Sequence, residues 1–244
     1  YGFKFFLWDK IEPFFRSDAR PDRVPQYELK WNRKSLKEVL SKRLLAFSRG
    51  KISTFDVLLE EPCSIDDQLC LMANGSPRNL IRLCERILAI QGDRDPNARR
   101  ISITAIDQAT VSHSEKICIE NYGENILKDL QRVGRELFTT NFVANDILKI
   151  SANRARNKIT SWVNLGIVSQ VGTVIIPPAT RPTYLYGVVD PCVVRVMHRA
   201  IPFEEFVQDR WLPCGHCITD NLINIDLYPE GEDPVCRQCG RKLI

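Results

Sequence analysis

Ala152-Asn153-Arg154-Ala155-Arg156-Asn157-Lys158-Ile159-Thr160-Ser161-Trp162-Val163 interleaves apolar and basic residues at helical spacing. At about 100° per residue, Ala155, Ile159, Trp162 and Val163 fall on one helical face, with Arg154, Asn157, Lys158 and Ser161 opposite. The pattern predicts an amphipathic helix over 152–164, stopped by Gly166. Short helices are expected before it over 126–138 and 142–149. Strand-like runs follow it at 167–171 and 183–189, separated by Pro177-Pro178-Ala179-Thr180-Arg181-Pro182. Three helices and then a hairpin is the order of a winged helix-turn-helix, expected here over 116–205.

The charge is local. Between Ile126 and Leu165 stand seven Lys/Arg (128, 132, 135, 149, 154, 156, 158) and three Asp/Glu (129, 136, 146), a surplus of +4 that equals the net charge of the whole chain. Arg154, Asn157, Lys158 and Ser161 on a third helix are what base edges and phosphates call for. Arg181, at the expected wing tip, would reach a phosphate or a minor groove. DNA is therefore the expected partner. The competing reading is a solvated face on a domain that docks onto protein.

Downstream, Cys214-Gly215-His216-Cys217 and Cys236-Arg237-Gln238-Cys239 are separated by 18 residues, the spacing of a four-cysteine zinc ribbon over 206–244. Two residues between paired cysteines let one tight turn aim both thiolates at a single tetrahedral ion. A segment this small buries too little apolar surface to fold alone, so the expected zinc is structural. Leu222–Tyr228 alternates like a ribbon strand. Cys214-Gly215-His216-Cys217 also matches the disulfide-isomerase active-site motif. That chemistry needs the first cysteine at a helix N-terminus, and here a second cysteine pair follows instead.

Upstream, the run Phe3–Trp8 reads as a buried strand ending at Asp9, followed by a stretch containing Arg20 and Arg23. Ser35-Leu36-Lys37-Glu38 has capping-box spacing before a helical stripe that ends near Gly50. Asn74-Gly75-Ser76-Pro77-Arg78 opens another helix, with Ser76 at the N-cap and Pro77 in the first turn. A further helix is expected over 101–120.

These upstream motifs resemble the later half of an AAA+ or STAND-type ATPase, from the sensor-1 strand through the helical lid. A winged helix directly after the lid is similar to the layout of origin-recognition initiators and bacterial anti-phage defence ATPases. The resemblance implies a partial ATPase region over 1–115, mainly lid. It gives Arg78 the sensor-2 role, places Asp9 near sensor 1, and makes Arg20 or Arg23 arginine-finger candidates for a neighbouring subunit. No G-x-x-x-x-G-K-[ST] occurs in the 244 residues, so ATP is expected only where an upstream P-loop region supplies the phosphate cradle. The opening residue, Tyr1, reads as a point inside a longer protein.

Composition sets the remaining bounds. Apolar residues make up 44% and charged residues 26%, which suits a globular core. No apolar run approaches the ~20 residues of a membrane helix. Cys63, Cys70, Cys84, Cys118 and Cys192 sit in apolar-periodic segments as small core residues, so a cytoplasmic setting is expected. His113 and His198 stand alone, with no Ser/His/Asp arrangement around them.

The expected fold is mainly α with small β elements. The expected function is the C-terminal regulatory and recognition part of a nucleotide-driven switch, contacting DNA, a partner protein or neighbouring ATPase subunits. The alternatives are a stand-alone winged-helix regulator and a protein-interaction adaptor.

Overall fold

A computed structural model describes residues 29, 31–61, 64–176, 180–208, 211–217, 219–222, 233–236 and 238–243. The chain divides into two compact units, Tyr1–Lys30 and Trp31–Ile244. Every element named below belongs to the second. The expected strand Phe3–Trp8, and Asp9, Arg20 and Arg23, lie outside the described residues, as does Cys63.

The described part is mainly helical, with two small antiparallel sheets. Helix α1 (Arg33–Phe47) is capped three residues before the expected Ser35, because Asn32 accepts from the Ser35 N–H at 2.9 Å and takes the capping role itself. It buries Leu36 and Leu40. Gly50, at φ +81°, donates to the Leu45 carbonyl at 2.7 Å and closes the end, as expected of a glycine there. Helix α2 (Ile65–Met72) is capped from a distance: the Asp56 carboxylate accepts the N–H groups of Ile65 and Asp66.

Helix α3 (Pro77–Arg94) starts as its sequence predicts, with the Ser76 hydroxyl accepting from Asn79 N and Pro77 in the first turn. Helix α4 (Ile103–Tyr122) is capped by Ser102. Gln91 Oε1 accepts from both the N–H and the hydroxyl of Ser102 at 2.9 Å, pinning the end of α3 to the start of α4. The expected boundary at 115/116 falls inside α4. One continuous core runs from Leu36 to Val207, with buried residues on both sides of that point.

Helix α5 (Glu124–Val133) is shorter than the expected 126–138, because Gly134 adopts φ +62° and ends it. The residues beyond form strand β1 (Leu137–Thr139). A π-helical segment, Phe142–Leu148, leads to α6 (Ala152–Asn164), whose N-cap is Ser151. Strands β2 (Val168–Val174) and β3 (Thr183–Val188) follow, and the sheet order is β1-β3-β2, all antiparallel. Gly187 is required where it stands: a Cβ there would lie 2.9 Å from Val171 Cγ1. Helix α6 buries Ala155, Ile159 and Trp162, but Val163, expected on that face, is 38% exposed. The helix meets the sheet through a stripe narrower than the sequence pattern.

The chain then returns to α4. Helix α7 (Pro191–Met197) is capped by Asp190, whose other oxygen accepts the Tyr122 hydroxyl at 2.6 Å. Arg195 is fully buried between α4 and α8 (Phe203–Gln208). Its guanidinium donates to Thr110, Asp107 and the carbonyls of His198 and Ile201, and lies over the rings of Phe203 and Phe206. Strands β4 (Trp211–Pro213) and β5 (Asp220–Leu222) make the second sheet.

Candidate metal centre and nucleic-acid interface

Cys214 follows β4 directly, and Cys217 precedes β5 by two residues, so the small sheet delivers the first cysteine pair on one turn. The second pair comes from a turn of the same build. Cys214 N donates to Thr219 O, and Cys236 N to Arg241 O, each five residues on. His216 N approaches Cys214 Sγ at 3.4 Å, and Gln238 N approaches Cys236 Sγ at 3.4 Å. Two matching backbone knuckles thus present four sulfurs to one point.

The four Sγ atoms lie within 4.8 Å of one another, with Cys214–Cys239 at 3.6 Å and Cys217–Cys236 at 3.5 Å. A tetrahedral ion bound at ~2.3 Å sets its sulfurs ~3.8 Å apart. The residues fit zinc, and four thiolates close its shell. The surroundings of the first pair favour the anionic ligand form. The N–H groups of Cys217 and His216 lower the pKa of Cys214. The Thr219 hydroxyl, 3.2 Å from Cys217 Sγ, and the Thr219 N–H pull Cys217 down to about 6. Buried Asn221 points its amide at Cys236 Sγ, 3.7 Å away, while also donating to the carbonyls of Leu212 and Thr219. Such outer partners orient metal ligands. His216 is exposed and meets Arg241 Nη1 at 2.7 Å, so it stands outside the cluster. The Cys214–Cys217 segment is a turn leading into a strand, not a helix N-terminus, which removes the geometry a disulfide-exchange site needs. Most of the expected strand Leu222–Tyr228 lies outside the described residues.

The basic segment is largely engaged. Lys128 pairs with Glu124, Arg132 donates to Ile147 O, Arg135 sits over the Phe142 ring, and Lys149 donates to Asn145 O. Lys158 is tied to Asp129 of α5, so the expected phosphate ligand already has an internal counter-ion. Arg154, Asn157 and Ser161 are exposed on α6, and their side chains donate to nothing among the described residues. The same is true of Arg181, exposed in the β2–β3 connection. Sequence reasoning placed these four correctly on the surface. It could not see that Asp129, on another helix, would claim Lys158.

Arg78 is exposed in the first turn of α3, with no hydrogen bond or ion pair among the described residues. A shallow depression between α3 and α4 is lined by Arg86, Ile90, Asp93, Arg94, Gln108 and Ser112, and Arg78 is not part of it. His113 is buried in α4, and desolvation pulls its pKa down to about 4. It is neutral, a core residue. His198 lies 3.0 Å from Glu136. Burial raises the pKa of Cys70 and Cys84 to about 12 and that of Cys118 and Cys192 well above the ordinary thiol value. These are inert packing groups. Among the described residues no helix is long and apolar enough to cross a membrane. No protein-family model matches this chain, and no curated protein matches it in sequence.

Proposed function

We propose that the chain is a nucleic-acid recognition module in which a winged helix contacts DNA and a zinc ribbon, held by Cys214, Cys217, Cys236 and Cys239, completes the C-terminal end. The wing would be β2–β3, and α6 the recognition helix. The observation that carries this reading is the set of unengaged, exposed groups Arg154, Asn157, Ser161 and Arg181 within a segment whose other cations have internal partners. Unpaired donors on one helix face favour a ligand rich in acceptors, and nucleic acid supplies phosphates and base edges together.

Salt dependence tests it. Each phosphate contact contributes a slope of about −0.9 in log affinity against log salt. Arg154→Ala and Arg181→Ala should each flatten the slope by about that much, and Lys158→Ala by less, because Asp129 already neutralises it. Affinity flat in salt, or indifferent to Arg154→Ala, would support protein docking instead.

Arg78 favours a second reading that adds to the first. A helix N-terminus disfavours a cation, yet Arg78 stands there with no carboxylate partner among the described residues. That suits an arginine kept for an anion. It supports the resemblance to AAA+ and STAND lids, in which Arg78 would sense a nucleotide's terminal phosphate and this chain would be the regulatory end of a switch ATPase. The catalytic cradle would come from a P-loop region elsewhere. The isolated 244-residue chain is therefore expected to turn over no ATP above a buffer blank. Measurable turnover that Arg78→Ala abolishes would overturn this division of labour.

A further inference from the structure

An aromatic row crosses the sheet beside α6. Trp162, from the buried face of α6, meets Phe138 of β1 edge-on, with centroids 6.1 Å apart. Phe138 stacks on Tyr186 at 6.2 Å, and Tyr186 meets Tyr184 at 6.5 Å. Phe138 and Tyr186 are register partners, and residues two apart on a strand share a face. Tyr184 and Tyr186 therefore lie on the sheet face that α6 covers. The row runs from full burial outward: Trp162 is 1% exposed and Tyr184 56%. In the connection between β2 and β3, Ile175 and Ile176 are exposed, and so is Arg181.

An exposed ring on a hairpin whose connection also exposes aliphatic side chains and an arginine is poorly matched to water and well matched to a flat apolar group joined to a phosphate. From this juxtaposition we infer that Tyr184 is a stacking platform for an unpaired nucleobase, and that the preferred ligand is nucleic acid with a single-stranded portion. The inference rests on the nucleic-acid reading above and narrows it. In a fully paired duplex, neighbouring bases cover each base face, so a tyrosine can offer only its hydroxyl or an edge. An unpaired base has a free face. Tyr186 braces the Tyr184 ring, so little side-chain freedom is lost on binding. The Arg181 guanidinium, three residues before Tyr184 in the chain, provides charge for the adjoining backbone. Stacking of this kind tolerates any base, because every base has a π face.

The test compares a blunt duplex with the same duplex carrying a single-stranded overhang, using fluorescence anisotropy on the zinc-loaded full chain. The overhang probe is expected to bind more tightly. Tyr184→Ala should weaken overhang binding by between about fivefold and about a hundredfold, weaken blunt-duplex binding far less, leave the salt slope unchanged, and abolish the preference. Tyr184→Phe should behave as wild type. Tyr184 is a surface residue, so unchanged helical circular dichroism and zinc content will show that both variants are folded. Three results would overturn the inference while sparing the nucleic-acid reading: no effect of Tyr184→Ala, equal losses on both probes, or a Tyr184→Phe loss as large as that of Tyr184→Ala. The last would mean a hydroxyl contact to phosphate. A wild-type chain that binds neither probe at low salt would remove both readings together.

Discussion

Cys236→Ser is expected to abolish zinc binding and unfold the ribbon while the helical body stays folded. The reason lies in where apolar burial ends. The continuous core runs from Leu36 to Val207; of the expected ribbon 206–244 it takes only Phe206 and Val207, which belong to α8, and nothing from 211 on. Among the described ribbon residues, what is buried is chiefly the site itself: Cys214, Cys236, Asn221 and Pro234. Without a metal, the knuckles would hold four thiols within 4.8 Å around nothing. With zinc, four Zn–S bonds supply the folding energy, which in small zinc modules amounts to roughly 10–16 kcal/mol of apparent binding free energy. A neutral serine hydroxyl is a much poorer ligand than a thiolate. Native mass spectrometry should give one zinc per wild-type chain and none for the variant. Amide exchange should lose protection over 211–222 and 233–243, with α3 and α4 unchanged. Zinc retained in full, or a chain that melts as a whole, would sink this account of the ribbon.

Arg195→Met should be the most damaging single change in the helical body. Arg195 has no exposed surface. Its side chain donates to Thr110 at 3.1 Å, Ile201 O at 2.7 Å, His198 O at 3.3 Å and Asp107 at 3.3 Å. Asp107 in turn accepts the Phe203 N–H at 2.5 Å, at the start of α8. Methionine fills part of the volume but leaves these acceptors without their donor and Asp107 without its cation. Removing one partner of a buried pair costs about 3–5 kcal/mol. At about 2–4 °C per kcal/mol for a domain of this size, the melting temperature should fall by on the order of 10 °C. The loss should appear first as detachment of α7 and α8 from α4, visible as exchange at Val193–Val207. A shift under about 2 °C would mean that aromatic packing of Phe203 and Phe206, rather than the guanidinium, holds that end.

The four-cysteine cluster was legible in the sequence because its logic is local. Two residues between cysteines define a turn, and any fold that brings two such turns together makes a tetrahedral site. The cap of α3 was legible for the same reason: Ser76 and Pro77 act on backbone groups within three residues. So was the end of α1 near Gly50. Where local rules competed, the pattern misled. Asn32 preceded Ser35 and took the cap, and Gly134 cut α5 short and released Leu137–Thr139 to pair with β3.

A mainly helical chain, a basic amphipathic helix over 152–164 and a four-cysteine cluster near the C-terminal end are all written in local sequence. All three follow from periodicity and spacing over a few turns. Which charges are free depends on packing between distant segments. Lys158 and Arg154 are equivalent on a helical wheel, yet Asp129, 29 residues away, claims one and leaves the other. Such packing likewise decided that Arg195 is buried and that Tyr184 caps an aromatic row, because each depends on partners from distant strands and helices. Contacts across such separations are set by packing, and no window of sequence contains them.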